Sequence, residues 1–209
     1  ALAAVRLPIR AGGVLLVHSS LRSLAASGAD ADGVIAWLLG QLGPAGTLVL
    51  PTLTYSATIT AGLAFDVRTT PSDVGVLSEI FRQRPGVVRS LHPTHSVAAF
   101  GPRTDELVRH HHLDRESCGP NSPFTLLPRF AAQILMLGCT LASNTTMHAV
   151  EAMAPPLYLY ASDQRRYRVT DQDGRTTTVE HRYHGFREFR KLQRYDRLWN
   201  LLPVERRAT

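Results

Sequence analysis

Gly12-Gly13-Val14-Leu15-Leu16-Val17-His18-Ser19-Ser20 is the stretch on which the fold turns. Consecutive apolar residues at 14–17, with no polar residue interleaved, describe a strand buried on both faces, and the polar trio after them marks its end. Further along, Val34, Ile35, Leu38, Leu39 and Leu42 recur at helical spacing. Asp32 is the expected N-cap of that helix, and Gly43-Pro44 ends it. Thr47-Leu48-Val49-Leu50 then repeats the buried strand, with Pro51 closing it. Strand, helix, strand in close succession is the unit of a layered α/β domain.

The remaining chain continues the alternation. Residues 52–62, poor in charge and rich in hydroxyls, read as a loop. Ser72 or Asp73 is placed to cap a helix over 74–84, which Pro85-Gly86 stops. Val87-Val88 leads into His92-Pro93-Thr94-His95-Ser96, and Thr104 opens a short polar helix. Ser122-Pro123 has the N-cap and N1 pattern of a further helix. Ile134-Leu135-Met136-Leu137 reads as a third strongly buried strand, and a helix carrying His148 and Glu151 follows. From Pro155 the texture becomes polar. Asp173-Gly174 marks a hairpin, and 186–202 reads as a basic amphipathic helix. The expected architecture is one α/β/α domain over 1–209. A core of 1–154 with a central sheet carries a hairpin-and-helix subdomain over 155–209.

Composition narrows the classes. A chain of 209 residues with 44% hydrophobic and 19% charged residues is neither collagen, coiled coil nor a disordered polymer. It has no apolar run of the ~18 residues that a membrane helix requires, and no secretory leader pattern opens it, so a soluble, cytoplasmic protein is expected. Cys118 and Cys139 lack metal-site spacing and cannot staple a domain of this size. Of the 23 basic residues Lys191 alone is lysine, and the net charge is +6. Arginine grips phosphate and carboxylate bidentately, so the candidate partners are anionic, namely nucleic acid, a nucleotide-bearing cofactor or an acidic substrate, while a GC-rich genome accounts for the same bias equally well.

Polar clusters follow the predicted strands at His18-Ser19-Ser20, at His92 to Ser96 and at Ser143 to Glu151. Ligands of α/β folds bind at the carboxyl edge of the sheet, where such clusters converge. His148 and Glu151, three residues apart, share one helical face. A carboxylate on one imidazole nitrogen fixes the tautomer and leaves the other as a proton acceptor. The hydroxyl of Thr145 or Thr146, with amides of the first helical turn, can meet developing negative charge.

These segments resemble the aminoglycoside 3-N-acetyltransferase family. The similarity is carried in order by Val17 to Leu24, Gly46 to Thr52, His92 to Gly101, Ser122-Pro123-Phe124, Leu135 to Gly138 and Asn144 to Glu151. The resemblance implies acetyl-CoA as donor and direct transfer to a small-molecule amine. It further implies His148 and Glu151 as the catalytic pair, with Thr146, or Thr145 beside it, near the thioester oxygen. By the same analogy His18, Ser19, Ser20, Leu21, His95, Ser96, Val97, Phe100, Ser122 and Phe124 line the path of the donor. Where family members have a basic residue shortly after Ser-Pro, this chain has Phe124 to Leu127 before Arg129. Aminoglycosides are polycations and need acidic walls, whereas the chain is +6.

Other signals carry less. The run 110–112 of three histidines is expected at a solvated helix end, His181 and His184 in solvent, and Cys139 as a small buried thiol. Zinc held by His18, His92 and His95 is not expected, nor is any metal. Neither a phosphate-cradling GxxxxGK[ST] nor a GxGxxG follows a strand. The alternatives are a biosynthetic acyltransferase of the same fold using another acyl thioester, and a nucleic-acid module built on the basic stretch 182–207. A solvated helix is the preferred reading of that stretch, so neither nucleic acid nor a membrane is an expected partner; a monomer or homodimer is.

Overall fold

The computed structural model describes residues 7–28, 30–185, 193–201 and 203. Its strands are β1 (Val14–Ser19), β2 (Thr47–Pro51), β3 (Ala64–Asp66), β4 (Val88–Arg89), β5 (Val97–Phe100), β6 (Gln133–Leu137), β7 (Tyr160–Thr170) and β8 (Thr176–His184). Its α-helices are α1 (Ala31–Leu42), α2 (Tyr55–Thr60), α3 (Val76–Arg82), α4 (Thr104–Val108), α5 (Pro123–Leu126) and α6 (Thr146–Met153).

The main sheet has the order β4-β5-β2-β1-β6. β1 runs parallel to both β2 and β6, while β5 is antiparallel to β2 and to β4. Alternation sorts its side chains into two layers. Val14, Leu16, Val49, Val97 and Ala99 pack with Leu107, Phe124 and Ala149 from α4, α5 and α6. Leu15, Val17, Leu48, Leu50 and Ala98 pack with Val34, Ile35 and Leu38 of α1 and Leu77 and Phe81 of α3. The mixed α/β fold is therefore layered with helices on both faces. Each fully buried leucine or isoleucine in these layers contributes roughly 2 kcal/mol. A second sheet, β3-β7-β8, has its own core of Phe65, Val67, Tyr167 and Val169. Its β3 comes from residues 64–66, so the hairpin is joined by a strand from the first half of the chain.

Local departures from the sequence reading have local causes. Asp30, not Asp32, caps α1: its carboxylate accepts from the Gly33 amide at 2.7 Å. Residues 52–62 are not all loop but contain α2. Asp73 caps that helix, accepting from the amides of Ser56 (2.6 Å) and Ala57 (3.2 Å), and α3 begins instead after Gly75 at φ +96°. β6 is an edge strand and only half-buried, with Ile134 39% exposed. Of the helix expected over 186–202, residues 186–192 and 202 lie outside the described residues, and Tyr195–Leu201 forms a 3-10 turn.

Candidate active site

The chain passes from β1 to β2 on one side and returns as β6 on the other, so the strand order reverses at β1. Such a switch point opens a crevice at the carboxyl ends of the strands. Two clefts lie there. The first, about 430 Å³, is lined by His18, Ser19, Ser20, Leu21 and Arg22 after β1 and by Gly75 and Val76 at the start of α3. The second, about 490 Å³, is bounded by Tyr55 and Ile59 of α2, His95, His148, and Tyr183 and His184 of β8. Val74, Ser143 and Thr145 belong to both, so the clefts meet at the N-terminus of α6. Gly138 after β6 keeps this edge tight: it sits at φ +70°, and a Cβ there would come within 2.9 Å of the Ser20 carbonyl.

His148, in the first turn of α6, lines the second cleft. Its Nδ1 lies 3.3 Å from Glu151 Oε2 and 3.0 Å from the Tyr195 hydroxyl. Glu151 also accepts from Tyr195 (2.5 Å), Tyr158 (2.8 Å) and Gln193 (3.1 Å). Burial alone would raise the Glu151 pKa, but the hydrogen bonds from His148, Tyr195 and Tyr158 prevail and hold it at about 2. An ionised carboxylate can only accept. The proton on this side of the imidazole is thereby assigned to Nδ1.

Around this pair lies a cluster of imidazoles, three of which the sequence reading put in solvent. His184 is not there: its ring is 4.6 Å from His148 and 5.0 Å from His95. His181 is 3% exposed, against His92 at 4.8 Å. His111, taken for part of a solvated helix end, is fully buried, stacked on His92 at 4.5 Å and bonded to Ser90 at 2.8 Å. The cause is the second sheet, which folds back over the main sheet's edge and lays β8 on the 92–95 turn. Burial lowers the pKa of His92 to about 4 and of His181 to about 2, and puts His95, His111 and His184 well below the ordinary histidine value.

Of the residues expected on the donor path, His18, Ser19, Ser20 and Leu21 line the first cleft and His95 the second. His18 is buried, its pKa lowered by burial to about 4, and its Nε2 has no partner among the described residues. The structure does not bring the others to either cleft. Val97 and Phe124 are core residues, and Ser122 is fully buried behind them. Phe100 lies opposite Leu48 near the amino end of β2, at the far edge of the sheet. Ser96 is bonded to Thr52 and Arg89. Thr145 reaches both clefts, whereas the Thr146 hydroxyl is buried without a partner among the described residues. The first-turn amides expected to be free are in use: Thr146 donates to Asn144 Oδ1, Met147 to the Asn144 carbonyl and His148 to the Thr145 carbonyl. Among the described residues no group of three or more His, Cys, Asp or Glu is placed to hold a metal ion, and no helix is long and apolar enough to cross a membrane.

The family model for aminoglycoside 3-N-acetyltransferases matches residues 16–202, a span that includes both clefts and the His148–Glu151 pair. The chain belongs to this family. It is 36% identical over 182 residues to aminoglycoside N(3)-acetyltransferase IV of Salmonella, covering 85% of this chain and 65% of the relative. The chain thus spans just under two thirds of that aminoglycoside acetyltransferase. A solved structure of AAC(3)-IVa, a His-to-Ala mutant in complex with gentamicin C1A, superposes with a TM-score of 0.71 at 30% identity over 93% of this chain and 70% of that one. The family member AAC-IIIb, solved as a binary complex with CoASH, superposes with a TM-score of 0.66 at 26% identity over 85% of this chain and 71% of that one.

Proposed function

We propose that the chain is an acetyl-CoA-dependent N-acetyltransferase acting on an amino sugar or related aminocyclitol, with His148 as general base. The observation that carries this is the His148–Glu151–Tyr195 assembly on the second cleft, three residues from Thr145, which both clefts share. The first cleft is assigned to the pantetheine arm of acetyl-CoA. Arg22 is placed for phosphate, Leu21, Val74 and Val76 are apolar walls for a pantetheine arm, and the unpartnered His18 Nε2 suits one of its amides. The amine enters by the second.

The amine nitrogen attacks the thioester carbon while His148 Nε2 takes its proton. The C–N bond forms, the C–S bond breaks, and the thiolate leaves with the proton that His148 returns. Thr145, common to both clefts, is the hydroxyl placed for the developing oxyanion. Neutral His95 and His184 beside the base add no charge that would repel an incoming ammonium. Neither thiol serves as an acyl carrier, since burial raises the pKa of both Cys118 and Cys139 and neither lines a cleft. Thiol release from acetyl-CoA across a panel of amines is the test. Release that depends on amine and survives conversion of both cysteines to serine supports the reading. Release that does not depend on amine, or acetyl trapped on a cysteine, overturns it.

A further inference from the structure

The chain leaves α6 through Pro155-Pro156-Leu157 and enters β7 at Tyr160, and Tyr158 stands in that joint. Two features fix it there. Consecutive prolines lock φ at 155 and 156, which leaves the turn little freedom. Leu159 is fully buried; its amide donates to the Pro156 carbonyl at 3.0 Å and its carbonyl accepts from the Gly185 amide at 3.0 Å. The residue after Tyr158 is thus tied to the end of β8, and the Tyr158 hydroxyl is delivered to Glu151 Oε1 at 2.8 Å.

The two oxygens of Glu151 are held unequally. Oε2 meets His148, Tyr195 and Gln193, whereas the one hydrogen bond to Oε1 among the described residues comes from Tyr158. The last torsion of a glutamate is broad, so a donor fixed on Oε1 sets the direction in which Oε2 points. Glu151 is ionised and can only accept, which makes Tyr158 the donor. Burial and the carboxylate itself raise the pKa of the phenol, so its proton stays in place. Neither Tyr158 nor Glu151 lines either cleft.

We infer that Tyr158 is a positioning residue for the acetyl transfer: it orients Glu151 so that Oε2 holds the Nδ1 proton of His148, and it touches neither substrate. Its influence reaches the reaction only through the carboxylate. The inference rests on the transferase reading above.

The test has two arms. In the first, kcat and KM are measured by thiol release for the parent chain, Tyr158→Phe, Glu151→Ala and the double variant. Tyr158→Phe is expected to lower kcat roughly fivefold, the size of one hydrogen bond, with both KM values unmoved. In the Glu151→Ala background the same change should cost less than about twofold, since no carboxylate is left to orient. Equal losses in the two backgrounds, or a rise in either KM, mean a packing role and overturn the inference. Acetyl-CoA binding by calorimetry checks that each variant is folded. The second arm needs no turnover. Nitrogen NMR of the neutral His148 ring, its signals assigned by their loss in His148→Gln, reads the share of molecules with the proton on Nδ1. That share should fall in Tyr158→Phe and fall further in Glu151→Ala. A share that Tyr158→Phe leaves at the parent value overturns the inference while the transferase reading stands. If no amine releases thiol, the transferase reading fails, and the ring proton alone decides whether Tyr158 orients the pair.

Discussion

Tyr195 bonds to Glu151 across 44 residues of sequence and to His148 across 47, so the proposed catalytic pair is completed by a residue with no local relation to it. Loss of a general base typically costs about 10²–10⁴-fold in rate. His148→Ala should lower kcat by that order, with acetyl-CoA affinity by calorimetry nearly constant because His148 lines the second cleft and not the first. Tyr195→Phe removes one donor from a buried carboxylate. Its effect should be smaller, about tenfold in kcat, with the KM for acetyl-CoA unmoved. A Tyr195→Phe loss as large as that of His148→Ala would mean that the hydroxyl itself handles the proton.

At the scale of elements, the walls of the second cleft depend on contacts made outside it. α2 is only six residues long and carries Tyr55 and Ile59, 46% and 43% exposed, toward the cleft. A helix so short is not stable by itself; Asp73 holds it by its N-terminal amides. Asp73→Ala should cost about 1 kcal/mol, the usual value of a cap, and raise the KM for the amine while that for acetyl-CoA stays constant. Arg89 works similarly beneath the edge. Buried, with its pKa lowered by burial to about 9, it donates to Thr52, Ser96, Val67 and Thr70 and ties β2, β4 and β5 to the 67–70 turn. Arg89→Met strands those acceptors, and a loss of about 3 kcal/mol in denaturant unfolding is expected.

For the molecule as a whole, the interface between the two sheets is filled by neutral histidines. Their folded pKa values lie below the unfolded value of about 6.5. The unfolded chain therefore binds more protons in the interval between, and stability rises with pH there. Stability should be full above about pH 6.5 and fall on acidification toward pH 4, with His92 at about 4 a principal contributor. One such histidine forfeits about 2 kcal/mol by pH 5. Glu151, held at about 2, adds a loss in the same direction at still lower pH. Thermal unfolding followed by circular dichroism from pH 8 to pH 5 tests this. A constant Tm would show that the cluster opens to water, and His92→Phe should flatten the dependence if the fold tolerates it.

The sequence by itself determined the layers and the pairing of His148 with Glu151. Buried strands at 14–17 and 47–50, the helix between them and the i, i+3 spacing of His148 and Glu151 are short-range patterns, set by burial and helical geometry within one segment. The convergence of the first and third polar clusters was legible too, because both follow parallel strands that neighbour each other. Only the tertiary structure decided the rest. Which residues past a strand face the cleft depends on strand direction, and β5 runs antiparallel, so Val97 turned to the core and Phe100 to the far edge. The engagement of the Thr146, Met147 and His148 amides depended on where Asn144 and Thr145 placed their carbonyls. His181 and His184 are polar residues of an exposed-looking hairpin, and their burial followed from where β7 and β8 landed. β3, from 64–66, pairs with β7 and carries that hairpin back over the site. A contact between segments distant in sequence leaves no periodicity in either one, so the imidazole cluster and the Tyr195 bond to Glu151 exist only in the folded chain.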